Sequence, residues 1–136
     1  MTNVVLAAGA SRQYVRCIEV PFDYTNISTT ATAVLAVALP QNAQVIGGHL
    51  VVDTAWNSGT SAVLDIGDSA VANRYGAAID LTAAARTALT VTGYADSGGL
   101  DVAIKPTLVG TAATAGAARL LVEFTLSGRV DEYAMI

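Results

Sequence analysis

The feature that most constrains this chain is a recurrent alternation of apolar and polar residues with a period of two. Between Arg119 and Arg129, Leu120, Val122, Phe124 and Leu126 fall on one side, and Arg119, Glu123, Thr125, Ser127 and Arg129 on the other. That pattern describes a strand with one buried and one wet face. It recurs at Leu100–Lys105, where Leu100, Val102 and Ile104 alternate with Asp101, Ala103 and Lys105, and at Ala62–Ile66 and Ala88–Tyr94. Two further runs, Ala33–Leu39 and Leu50–Trp56, are apolar on both faces. Strands of that kind need cover on both sides, from a second layer or a neighbouring subunit. Arg12–Tyr24 reads as a long first strand, and Pro21 inside it marks an edge position or a bulge.

Turn signals separate these runs. They are the polar stretch Asn26–Thr32, Pro40-Gln41-Asn42, Gly67-Asp68-Ser69, Asp96-Ser97-Gly98-Gly99 and a longer Gly110–Gly116 loop. Asn57-Ser58-Gly59 is a hairpin-turn candidate. Ala77–Leu89 reads as a loop with one helical turn, because Ala83-Ala84-Ala85-Arg86 favours helix and Asp80 or Thr82 would cap it. Seven or eight short strands at roughly 8–12-residue spacing predict an all-β, antiparallel sandwich of jelly-roll type. One β-sandwich domain is expected over residues 12–129, with an N-terminal arm at 1–11 and a C-terminal tail at 130–136.

Charge narrows the function classes. Of 136 residues only 13% are charged, against 53% hydrophobic, and the formal net charge is -4. A surface so poor in charge points to an interface with other copies or with a larger particle. The seven bases are scattered and form no basic face, so neither nucleic acid nor an anionic membrane is an expected direct partner. The one cysteine, Cys17, allows no intramolecular disulfide and is expected as a partly buried free thiol. The N-terminal apolar stretch is too short for a signal-peptide core, so synthesis in the cytosol is expected.

No constellation for catalysis emerges. His49 is the only histidine and has no recognisable nucleophile or orienting partner nearby. Asp53, Asp65, Asp68, Asp80, Asp96 and Asp101 recur near strand ends, where Asp bonds its own backbone. Asp65-Ile66-Gly67-Asp68-Ser69 lacks the ligand spacing of a calcium loop. Neither a catalytic residue, a metal site nor a cofactor is expected. The residues expected at a shell or subunit contact are Val4, Val5 and Leu6 in the arm, Tyr14, Val20 and Phe22 in the first strand, and Trp56. For Trp56, capping of the core is the favoured role and an interface anchor the other.

Taken as a unit, the run Val45–Trp56, the stretch Ser61–Asp68, Asn73-Arg74-Tyr75, Ala78–Leu81, Ala118–Phe124 and Gly128–Glu132 resembles small structural proteins of tailed bacteriophages. These are proteins of the kind that decorate or cement the head. The resemblance implies a jelly-roll-like homotrimer on the capsid surface at local threefold points. Its partners would be copies of itself and the major capsid protein or another virion protein. A tail, baseplate or fibre subunit is the nearest alternative, followed by a receptor- or carbohydrate-binding module.

Overall fold

The computed structural model describes residues 14–27, 33–95 and 98–126. Eight strands follow in chain order: β1 Arg16–Asp23, β2 Val34–Leu39, β3 Ala43–Thr54, β4 Ser61–Gly67, β5 Gly76–Asp80, β6 Arg86–Ala88, β7 Leu100–Val109 and β8 Ala117–Leu126. They form two antiparallel four-stranded sheets, with orders β1-β8-β3-β6 and β2-β7-β4-β5. First pairs with last, second with seventh, third with sixth and fourth with fifth. A long antiparallel ribbon rolled up on itself gives this pairing, and it defines a jelly roll.

The alternation read in the sequence fixes the core. Every even residue of β8, from Ala118 to Leu126, is buried. Leu100, Val102, Ile104, Pro106 and Leu108 of β7 and Ala62, Leu64 and Ile66 of β4 meet them from the other sheet. A one-residue slip in any of these strands would turn its whole apolar set to water, so the register is strongly specified. Pro106 sits in an inner strand. The described pairing of β2 with β7 stops at Val34 and Ile104, so among the described residues none pairs with Pro106 from the β2 side.

Three expectations are corrected. Ala77–Leu89 contains no helical turn; it supplies β5 and β6. Leu81 and Leu89 bury their side chains, and the Leu81 and Val52 N–H groups donate to Ala62 and Ala85 carbonyls at 2.9 and 2.8 Å. Tertiary pairing thus overrides alanine's helix propensity. Only the start of Ala88–Tyr94 is strand, and Val91 stands 46% exposed. Asn57-Ser58-Gly59 is not a hairpin turn, because β3 and β4 lie in different sheets. It carries the chain across the sandwich. The Asn57 side-chain oxygen there accepts from the Thr114 and Ala115 N–H groups at 2.7 and 3.0 Å, pinning the β7–β8 loop.

Candidate functional site

β1 and β2 end their respective sheets on the same side of the sandwich, so the described residues leave an open rim there. Pro21 tells how that rim is built. The Tyr24 N–H donates to the Gly116 carbonyl at 3.0 Å, next to the Asp23–Ala117 pair. Hydrogen-bonded and non-bonded pairs alternate along an antiparallel ladder. Ile18, Val20 and Phe22 therefore bond to β8, while Cys17, Glu19, Pro21 and Asp23 turn their peptide groups outward. Pro21 brings no N–H to the rim, and the Asp23 N–H is taken by the Asn26 side chain at 2.9 Å. β1 could accept another strand only around Cys17–Glu19.

The rim is apolar. Val15 is 56% exposed, Leu35 58% and Val34 40%, and no charged residue lines the groove between the two edge strands. The groove holds about 160 Å³, walled by Val20, Pro21, Val34 and Leu35 over a floor that includes Phe22, Ile27 and Ile104. That is below the ~300 Å³ at which small-molecule sites begin. It suits an aliphatic side chain or two. Ala36, at the register shift between Leu35 and Val37, kinks β2 beside it.

The contact residues expected from sequence divide at this point. Tyr14 is 39% exposed, and Val20 is half-buried in the groove wall. Phe22 and Trp56 belong to the core, at 8% and 2% exposure, and so offer almost no area to a partner. Their rings stand 5.9 Å apart, and the Trp56 indole N–H donates to the Ile27 carbonyl at 3.2 Å. That bond satisfies the one polar atom of a buried indole. Val4, Val5 and Leu6 lie outside the described residues. Leu35 and Val34 complete the groove's rim; the two-sided apolar run at Ala33–Leu39 was their signal.

Cys17 is exposed rather than partly buried, because odd positions of β1 face outward. It does not meet His49. Cys17 opposes Glu123 on β8, and His49 on β3 opposes Leu121, so two strand spacings of about 4.8 Å each separate β1 from β3. His49 Nδ1 lies 3.4 Å from Arg86 Nη2. Among the described residues no group of three His, Cys, Asp or Glu side chains is placed to hold a metal ion.

Asp80 does the turn work expected of it, accepting from the Thr82 N–H at 2.8 Å, whereas Asp65 accepts from the Ala78 N–H on β5 at 2.7 Å, and Asp96 lies outside the described residues. Asp53 instead joins Glu19 on Arg119, tying β3, β8 and β1 together on an exposed face. Asp68 is buried. Its carboxylate accepts from the Ala70 and Val71 N–H groups and from the Arg74 guanidinium, which lies 3.7 Å over the Tyr94 ring. Burial alone pushes the Asp68 carboxyl up, but the Arg74 bond and the two N–H bonds outweigh it and hold the group below its ordinary value. Burial, reinforced by the Asp68 charge, pushes the neighbouring Tyr75 phenol up to about 12. The Asp68–Arg74 pair holds the two ends of the 68–74 segment together. It clamps a loop.

Fold and site together define an eight-stranded jelly roll with one open apolar rim. Neither the family models nor the curated protein sequences contain a match to this chain. Solved structures do. A chain of the cyanophage Pam1 capsid asymmetric unit aligns with a TM-score of 0.68 at 23% identity, over 92% of this chain and 94% of that one. A chain of the Ralstonia phage GP4 capsid gives 0.64 at 21% identity, over 95% and 92%. A chain of the acid-stable capsid of Helicobacter pylori bacteriophage KHP30 gives 0.62 at 15% identity, over 85% and 92%. Similarity at these identities establishes a shared fold over nearly the full length of both partners. The resemblance to small β-rich phage structural proteins is thus met in three dimensions.

Proposed function

We propose that this chain is a structural protein of a bacteriophage virion, and within that class a decoration (cement) protein that sits on the capsid surface as a homotrimer. The observation that carries the reading is the near end-to-end fold match to chains of three phage capsids. The surface chemistry agrees with it. A net charge of -4 and scattered bases suit the outside of a shell better than contact with packed DNA. The apolar rim supplies contact area, and closed symmetry would cover it.

A decoration protein works by mass action. Whatever binds the assembled shell and not its separated parts stabilises the shell by RT ln(1 + [L]/Kd). Many copies on a symmetric lattice then add weak contacts into a large total. A sugar-binding module would need an accessible aromatic platform. Among the described aromatics, Phe22, Trp56, Tyr75 and Phe124 are buried, Tyr94 lies under Arg74 and Tyr24 is half-buried, which leaves Tyr14 as the exposed ring.

The test is to add purified full-length protein to phage heads stripped of it, then image the particles and heat them. Saturable density at symmetric surface positions, with DNA release moved to higher temperature, is expected. Absence from the head, or density confined to the tail, refutes the capsid location.

A further inference from the structure

The groove between β1 and β2 is occupied, we propose, by residues Val4–Ala8 of a second copy of this chain. This deepens the assembly reading by naming what covers the rim. It stands on the rim and the sequence, not on the location in a virion.

Three observations select that occupant. The first is chemistry. Thr2–Ser11 carries no charged side chain, and Val4-Val5-Leu6-Ala7-Ala8 is its apolar centre. The groove is likewise free of charge, and its about 160 Å³ matches one or two aliphatic side chains.

The second is reach. Thirteen residues precede Tyr14, enough for roughly 43 Å of extended chain at ~3.3 Å per residue. The groove lies at the Val20–Ile27 end of β1, whereas the arm leaves from the Arg16 end.

The third excludes the chain's own arm. To fill its own groove the arm would have to double back beside β1. Ser11-Arg12-Gln13-Tyr14-Val15 contains no Gly, Pro, Asn or Asp to make a tight turn. Gly9 is the first residue upstream that readily takes the positive φ such a turn demands. A two-residue loop at Gly9-Ala10 would pair Ala8 with Ser11. Counting back, it would set Val4–Ala8 beside Ser11–Val15, short of Val20 where the groove begins. The own arm falls short and a neighbour's arm does not. Beyond Glu19 the rim of β1 offers little backbone pairing, because Pro21 lacks an N–H and that of Asp23 is already used. The visiting arm therefore docks chiefly through side chains, with Leu6 against Leu35.

The test uses full-length protein with Cys17→Ser, in two separately tagged preparations, one carrying Leu6→Cys and the other Leu35→Cys. They are mixed, given time to exchange and oxidised. A disulfide joining one chain of each kind is expected. In parallel, light scattering should show the native assembly reduced to the 13.8 kDa monomer by Leu35→Glu, and to monomer again by deletion of Thr2–Ser11. Position 35 is 58% exposed, so Leu35→Glu leaves the fold intact, which circular dichroism checks. The inference is overturned if no disulfide joins chains of the two kinds. It is equally overturned if the assembly survives either change, or if the native chain is monomeric throughout. Capsid binding by a chain that fails these tests would sink this inference alone. A positive cross-link without capsid binding would sink only the location.

Discussion

Replacing Asp68 with alanine is the sharpest test of how the loop between β4 and β5 is held. The Asp68 side chain is 2% exposed and that of Arg74 16%. The carboxylate accepts from the Ala70 N–H at 3.0 Å, from the Val71 N–H at 2.8 Å, and from two guanidinium nitrogens of Arg74. Alanine leaves those donors without their acceptor and a guanidinium without its counter-charge. Removing one partner of a buried ion pair costs about 3–5 kcal/mol. Arg74 retains a path to water, so the lower end applies, and about 3 kcal/mol is expected. In a domain whose whole stability is of order 5–15 kcal/mol, that is a large loss. It should lower the melting temperature by roughly 10 °C. Trp56 is the only tryptophan and is buried in the core, so its fluorescence in a urea titration reports global unfolding. Protein concentration must be fixed, because self-association adds to apparent stability. Asp68→Asn keeps a neutral acceptor for the two N–H groups and should recover about half of the loss. A loss below about 1 kcal/mol for Asp68→Ala would refute the clamp.

Acid and alkali act on the same cluster in opposite directions. Asp68 is held below its unfolded value near 4, so its contribution is present above that pH and is lost as pH falls through the lowered folded value. A melting series from pH 6 to pH 2 should show this fall flattened in Asp68→Asn. Tyr75 is raised to about 12, so its contribution is intact below about pH 10 and is lost as pH climbs toward 12. Tyr75→Phe should lose that alkaline decline, and an unchanged profile would count against it. Gly48→Ala should fail to yield soluble folded protein, or melt far below the native chain. Gly48 has φ +131°, and a Cβ there would lie 2.1 Å from the Leu121 carbonyl oxygen. Normal melting of that variant would show that β3 can shift against β8.

Most of the sandwich was legible because its inner strands obey one rule. In β4, β7 and β8 alternate residues point to one core, and the sequence period reports the fold directly. Pro21 disclosed an edge for the same local reason. The failures lie where distant contacts decide. Ala83-Ala84-Ala85 carries helix propensity. The neighbouring β5 and β6 exist because Leu81 and Leu89 have a core to enter and β3 and β4 have edges to extend. Asn57-Ser58-Gly59 has the composition of a hairpin turn, but Trp56 is anchored on Ile27 and Asn57 on the 114–115 loop, and those anchors send the chain across. The Asp68–Arg74 clamp spans six residues of loop and follows no helical or strand period. The rim was half legible. The apolar run at Ala33–Leu39 announced a need for cover on both faces. Only the sheet order shows that β2 lies at an edge of its sheet.

The two ends of the sandwich are finished in opposite ways, and the contrast bears on assembly. At the far end β6 is three residues long, the Ala78 N–H is taken by Asp65, and Asp80 and Arg86 stand exposed. Short strands, charges and occupied donors are how sheets block a further strand. At the near end the groove between the edge strands is apolar, and the charged residues of β1, Arg16, Glu19 and Asp23, lie outside its lining. A single receptive rim, filled by an arm that leaves from the other end of the same edge, makes a head-to-tail contact rather than a self-complementary one. Such contacts close into rings or grow without limit. Under the proposed decoration role the contact must close. Light scattering across a hundredfold range of concentration should therefore reach a flat plateau at three copies of the 13.8 kDa chain. A mass that keeps climbing with concentration would mean that the arm-to-groove contact does not close, and the homotrimer would be wrong.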